Sequence, residues 1–191
     1  CCDFAGWFNQ LKTALEVTFL HCFRCNGKWY RLLTTPMGQR QSVEVAQAVS
    51  RLLAHVEDTN ALITVYIDNI RVLADTPEEV MRTARQMYAR FERAGAITNE
   101  KLEHDAIHQR GVYLGVMFDY ANKTVSMAEN TRSKIADSFA NRLRWSVRNF
   151  IGHMGLLFYA ATVLRFPVAS VYHALKFYRR VCIDVQAGRR R

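Results

Sequence analysis

The residues best able to do chemistry in this chain are two aspartates in similar settings. Asp68 lies in Val65-Tyr66-Ile67-Asp68-Asn69-Ile70, with one apolar run from Ala61 to Tyr66 before it and another from Ile70 to Ala74 after it. Two short β-prone runs around a polar pair predict a tight hairpin with the carboxylate at its tip. A turn Asp beside a turn Asn also suits left-handed backbone and local hydrogen bonding, so this stretch alone leaves a purely structural role open. Asp3 is the second carboxylate, at the end of an apparent strand at the start of the chain. Held side by side on neighbouring strands, Asp3 and Asp68 would bind divalent cations through oxygen, as Mg²⁺ requires. Two such ions about 4 Å apart stabilise the attacking and leaving oxygens of an in-line phosphoryl displacement.

The elements that must position the pair can be read in order. Ala5 to Ala14 carries Trp7, Phe8 and Leu11 and suits a short helix. Val17 to Cys25 and Lys28 to Leu33 flank Asn26-Gly27, a strong hairpin signal. After the loop Thr34-Thr35-Pro36-Met37-Gly38, Ser42 to Val56 places Val45, Val49, Leu52, Leu53 and Val56 at helical spacing. Thr76-Pro77-Glu78-Glu79 combines an N-cap Thr, Pro at the first helical position and Glu three residues after the cap, predicting a helix to Ala94 that stops at Gly95. Strands are expected at Ala96–Thr98, Gly111–Phe118 and Thr124–Met127. Helices are expected near 130–142, from 147 to 163 after a Ser146 cap, and from 168 to 182 after Pro167. The front is therefore an α+β layer and the back a helical appendage, with the seam near Ala128.

Charge follows the same division. Residues 1–128 hold 14 Lys+Arg against 14 Asp+Glu, whereas residues 129–191 hold 12 against 3 and supply the whole net charge of +9. A basic back half suits a polyanionic partner, most simply a nucleic-acid backbone. With 50% hydrophobic residues in 191, the chain can bury a core and does not have the composition of a disordered one. No apolar stretch is long enough to cross a bilayer and no leader precedes a cleavage site, so the sequence reads as soluble and intracellular, without a membrane partner. Cys1-Cys2-Asp3-Phe4 reads as the inside of a strand, as if the chain began within a domain. Cys22 and Cys25 form a CxxC, but no second pair at useful spacing completes a zinc site.

These motifs, in this order, resemble those of a reverse transcriptase palm and the start of its thumb, and the resemblance covers nearly the whole chain. Asp3 followed by Phe8 resembles the first catalytic motif; Pro36-Met37-Gly38 with Ser42 and Gln47 resembles the second. Tyr66-Ile67-Asp68-Asn69 resembles the YxDD box, Gly95 with Asn99 and Lys101 the fourth motif, and Tyr113-Leu114-Gly115 the primer grip. The resemblance implies a polymerase palm at 1–128, an antiparallel sheet backed by helices, and a basic helical thumb segment at 129–191, with the fingers absent. It implies RNA-directed DNA polymerase activity with two Mg²⁺ (or Mn²⁺) ions, an RNA template, a DNA primer, dNTPs and the other domains of a retroelement polyprotein. The element would be DIRS-like or VIPER-like, and the isolated fragment would not polymerise.

By the same resemblance, Asp3 and Asp68 are the metal ligands, Asn69 sits in the catalytic box, and Lys101 lies near the triphosphate, able to protonate the leaving pyrophosphate. Phe8 is the steric gate against a ribose 2′-OH, and Gln47, Met37 and Gly38 face the nucleotide or template. Tyr113, Leu114 and Gly115 position the primer end, and Arg142, Arg144 and Arg148 lie along duplex phosphates. Two departures weaken the enzymatic reading. Asn69 stands where the family has a second Asp, offering a neutral oxygen instead of a charged one, and the fingers that the family places before its first Asp, with their cationic residues for the triphosphate, are absent; Val43 also follows Ser42 where Pro is common. A catalytically silent, reverse-transcriptase-derived nucleic-acid-binding or scaffold protein is the alternative.

Overall fold

A computed structural model describes residues 1–102, 107–140 and 146–189, apart from the side chains of residues 139, 140 and 168. The chain forms two compact units, Cys1–His108 and Gln109–Arg191. The change of charge at Ala128 falls inside the second unit.

The first unit is built on a three-stranded antiparallel sheet. β1 (Cys2–Asp3) lies at one edge, β5 (Asn69–Leu73) in the middle and β4 (Leu62–Tyr66) at the other edge. β4 and β5 form the expected hairpin, pairing Tyr66 with Asn69 and Val65 with Ile70. Only Ile67 and Asp68 connect the strands, and Ile67 takes a left-handed backbone (φ 54°), unusual for a β-branched residue. β2 (Cys22–Cys25) and β3 (Lys28–Arg31) make a separate hairpin around Asn26-Gly27. Val17 to His21, expected as the start of the first strand of that hairpin, belong instead to a 3₁₀ segment, Leu15–His21.

Three helices complete this unit. α1 spans only Trp7–Gln10, α2 spans Arg40–Ala54 and α3 spans Pro77–Ala94. α3 follows its local signals closely. The Thr76 hydroxyl accepts from the Glu79 amide at 3.2 Å, Pro77 opens the helix, and Gly95 closes it at φ 68°, a conformation that costs other residues a Cβ clash. On α2 the core-facing stripe matches the expected one in part: Val49 and Leu53 pack against the core and Val56, just past the helix, is buried in it. Ser42, Ala46, Ser50 and Ala54 are buried, whereas Val45 and Leu52 are exposed. The small residues let the helix approach closely, and the Trp7 indole N–H reaches the Ala46 carbonyl at 3.4 Å.

The core gathers Phe4, Trp7, Ile70, Met87 and Phe91. The Phe4 ring stacks on Trp7 with centroids 4.0 Å apart and meets Phe91 edge-on at 4.9 Å. Each such ring contributes roughly 2–3 kcal/mol through burial alone. Because Phe4 follows Asp3 directly, the cluster also clamps the end of β1.

In the second unit, β6 (Arg110–Tyr113), β7 (Val116–Asp119) and β8 (Thr124–Met127) form a meander in that order. The stretch expected as one strand, Gly111–Phe118, is folded in two by a tight turn at Leu114-Gly115. Three helices follow: α4 (Glu129–Ala140), α5 (Val147–Val163) and α6 (Tyr172–Gln186). Ser146 caps α5 as expected, accepting from Asn149 N–H at 3.2 Å. After Pro167 the chain makes a 3₁₀ turn at Val168–Val171 before α6 begins. Helices α5 and α6 pack through Phe158 against Tyr178 and Phe150 against Phe177. Among the described residues no helix is long and apolar enough to cross a membrane.

Candidate active site

β1 joins β5 in a register that sets Asp3 directly opposite Asn69, and the Phe4 amide donates to the Asp68 carbonyl at 3.1 Å. The two carboxylates are thus brought together from opposite ends of a 65-residue separation. On its other side, β1 is held by the segment after α3. Ala5 N–H donates to Ile97 O at 2.9 Å and Asn99 N–H to Asp3 O at 2.8 Å, and Phe4 bridges Thr98. The expected strand at Ala96–Thr98 is therefore a single bridge. Gln10 fastens it, accepting from Ile97 N–H and donating to Ile97 O, both at 2.8 Å.

The Asp3 side chain is held asymmetrically. Asn99 Nδ2 donates to Asp3 Oδ2 at 3.0 Å, while Asp3 Oδ1 is shielded from solvent and has no hydrogen-bond partner among the described residues. Burial pushes the Asp3 carboxyl above the ordinary aspartate value. The Asn99 hydrogen bond opposes that shift, and the negative charges of Asp68 and Glu100 reinforce it. A shielded carboxylate oxygen lacking a donor, beside a second carboxylate, fits a hard divalent cation by donor type and charge.

Asn69 donates from Nδ2 to Asp68 Oδ1 at 3.1 Å, so its amide engages the neighbouring carboxylate. Glu100, which had no expected role, accepts the Asp3 amide on Oε2 at 2.8 Å. It follows Asn99 in sequence, but nothing in its residue type or spacing signals a contact with a residue 97 positions earlier. Lys101 is exposed and borders an apolar pocket of about 110 Å³ between β1, β5 and α3, lined by Cys2, Met81, Met87 and Tyr88.

Gln47, expected to face nucleotide or template, is turned to the hairpin. Its Oε1 accepts from the Ile67 amide at 2.7 Å and its Nε2 donates to the Val65 carbonyl at 3.2 Å. Phe8 is half-buried and packs against the Phe4–Trp7 cluster. Met37 is 76% exposed, and Gly38 beside it has a left-handed backbone. Cys22 and Cys25 both lie on β2, three residues apart and so on opposite faces, which prevents them from chelating one ion together.

In the second unit, Tyr113 is buried while Leu114 and Gly115 make the β6–β7 turn. A Cβ on Gly115, at φ 76°, would lie 2.9 Å from Thr131 Oγ1, so only glycine fits there. The turn is tied down by Tyr159, whose hydroxyl donates to Leu114 O, and by Ala128 N–H to Gly115 O at 3.0 Å. Arg148 is exposed in the first turn of α5. Arg142 and Arg144 lie outside the described residues.

No protein-family model matches the sequence, and no curated protein matches it either. Solved structures do. The foamy viral protease-reverse transcriptase in complex with RNA/DNA hybrid superposes with a TM-score of 0.66 at 17% identity, covering 83% of this chain and 20% of that one. Two structures of the same viral protein with double-stranded DNA give TM-scores of 0.64 and 0.63 at 17% identity, covering 83% of this chain and 26% and 32% of theirs. The fold is reverse-transcriptase-like, a mixed α+β arrangement of antiparallel sheets and helices, and the chain spans between a fifth and a third of those proteins.

Proposed function

We propose that this chain is the palm and the start of the thumb of an RNA-directed DNA polymerase of a retroelement, acting with the other domains of a longer polyprotein. The observation that carries the reading is the placement of Asp3 opposite Asn69, next to Asp68, with Asp3 Oδ1 shielded and without a hydrogen-bond partner among the described residues. Asp3 and Asp68 would hold two Mg²⁺ (or Mn²⁺) ions, which would activate a primer 3′-hydroxyl and balance charge on a nucleoside triphosphate. The residues of the chain then have separate tasks. Asn99 fixes one oxygen of Asp3 and leaves the other to face a cation. Gln47 sets the height of the hairpin tip that presents Asp68. Phe8 restricts the sugar, Lys101 supplies a proton to the leaving pyrophosphate, and the Tyr113–Gly115 turn and Arg148 meet the primer and the duplex backbone. The solved reverse transcriptases of this fold, held with double-stranded DNA or RNA/DNA hybrid, support a nucleic-acid partner.

One observation favours a silent, nucleic-acid-binding relative. Asn69 carries no charge and its amide hydrogen bonds to Asp68 Oδ1, so, with Asp3 Oδ2 held by Asn99, two of the four carboxylate oxygens of the pair are already engaged. Mn²⁺ binding to the chain, read by electron paramagnetic resonance, separates the two readings. A polymerase site predicts binding that is abolished by Asp3→Ala or Asp68→Ala and tightened about tenfold by Asn69→Asp, worth roughly 1.4 kcal/mol. Primer extension by the polyprotein carrying Asn69→Asp should rise in parallel. Mn²⁺ binding indifferent to all three substitutions would leave the scaffold reading standing.

A further inference from the structure

The β2–β3 hairpin is the part of the first unit that the polymerase reading leaves without a task. All eight of its strand residues are exposed, an unusual state for a sheet containing two phenylalanine-class rings and a tryptophan. A two-stranded ribbon with both faces in water is marginal by itself, and its exposed rings need a reason. The register supplies the chemistry. Residues directly opposite share a face, so Arg24 lies beside Trp29 on one side, followed by the Cys22–Arg31 pair, while Phe23 stacks on Tyr30 at 5.6 Å on the other. Trp29 is 72% exposed. Arg24, Lys28 and Arg31 have no carboxylate partner among the described residues. Residues 17–43 hold four Lys/Arg and no Asp or Glu.

We propose that this hairpin is a binding platform for single-stranded nucleic acid, with an unpaired base stacked on Trp29 and the flanking phosphates met by Arg24 and Arg31. The charge of the segment selects a polyanion over an apolar or basic protein surface. The exposed indole selects a strand whose bases are free, since the bases of a duplex are already stacked on one another. Alternation of an aromatic ring with cations at the spacing of a strand is what sequence-tolerant single-strand binding uses. The inference rests on the nucleic-acid reading above and extends it to a strand not yet copied or already displaced.

The test is fluorescence anisotropy of the whole chain with a labelled oligothymidylate of about 20 nucleotides and with a duplex of equal length. Trp29→Ala should weaken oligothymidylate binding about tenfold and leave duplex binding unchanged, whereas Trp29→Phe, which keeps a ring, should stay within about twofold of the parent. Arg24→Gln with Arg31→Gln should flatten the log–log salt dependence for the single strand by about 1.4, at roughly 0.7 per phosphate. The inference is overturned if Trp29→Ala binds oligothymidylate like the parent, if single strand and duplex weaken together, or if the substitution instead dissolves a self-associated form of the chain. Single-strand binding that does not depend on Trp29, with the Asp3–Asp68 cation site intact, sinks only this inference. An intact Trp29 platform with no metal site at the two aspartates sinks only the polymerase reading.

Discussion

Gln47 offers a direct test of how the acidic hairpin is held. Its side chain spans the turn, taking the Ile67 N–H at 2.7 Å and giving a hydrogen to Val65 O at 3.2 Å. Replacing it by Met conserves length and removes both bonds. Two neutral hydrogen bonds contribute about 1 kcal/mol each, so Gln47→Met should cost about 2 kcal/mol. Ile67 adds a second consideration, because a β-branched residue in the left-handed region stores about 1–2 kcal/mol. If the turn relaxes once the clamp is gone, part of that strain is recovered and the cost falls toward 1 kcal/mol. In urea, with a slope of about 2 kcal/mol per molar, the midpoint should drop by about 0.5–1 M. Gln41→Met, an exposed change on the same helix, should move it by less than about 0.25 M. A Gln47→Met midpoint indistinguishable from that of Gln41→Met would show that the hairpin holds its own shape and that the clamp argument is wrong.

Other expectations follow from the core, the thiols and the acidic pair. Phe91→Ala removes a ring that is 2% exposed and packed edge-on to Phe4; it should destabilise the first unit by about 3–5 kcal/mol, seen as a lower unfolding temperature, and an unchanged transition would contradict the packing. Burial pushes the Cys2 thiol up to about 11, whereas Cys1, Cys22 and Cys25 are exposed. Iodoacetamide followed by mass spectrometry should label those three quickly and Cys2 only on unfolding; early modification of Cys2 would refute its burial. Because the Asp3 carboxyl titrates above its ordinary value, folding favours its protonated form. The contribution of Asp3 to the stability of the metal-free unit is therefore complete below the ordinary aspartate value and is lost as pH rises through the elevated one. A cation needs the ionised form, so the rise in melting temperature caused by Mg²⁺ should grow from about pH 4 to neutrality and disappear in Asp3→Asn. A Mg²⁺ effect that is flat with pH would argue against Asp3 as a ligand.

What the sequence discloses here is mostly local. Thr76, Pro77 and Gly95 bound α3 because capping depends on neighbours in the chain, and Asn26-Gly27 marks its hairpin because left-handed backbone is a property of single residues. The placement of Asp68 at a hairpin tip follows from two β-prone runs with nothing between them but the turn. The Leu114-Gly115 turn gives no comparable warning, since Leu114 is an apolar residue in a left-handed conformation (φ 50°) that the surrounding helices stabilise. Val17–Leu20 has the composition of a strand, yet Leu15–His21 closes into a 3₁₀ segment. The core stripe of α2 is half hidden: periodicity finds Val49, Leu53 and Val56, while close packing against Trp7 picks Ala46 and its small neighbours, which periodicity passes over. The contacts of Glu100 and Gln47 depend on tertiary approach, which residue type alone does not encode.

The pairing of β1 with β5 bears on the order in which the site comes into being. The β4–β5 hairpin closes over two residues and can form on the timescale of local events. Asp3 arrives only after a loop of more than 60 residues has closed, through the register that sets it against Asn69. The acidic pair is therefore one of the last features of the first unit to be assembled, and it dissolves first if the edge strand frays. A divalent cation bound by both aspartates would act as a latch on that late step, slowing unfolding far more than it speeds folding. Cation release would then be an early event in unfolding, detectable before α3 loses its helical signal.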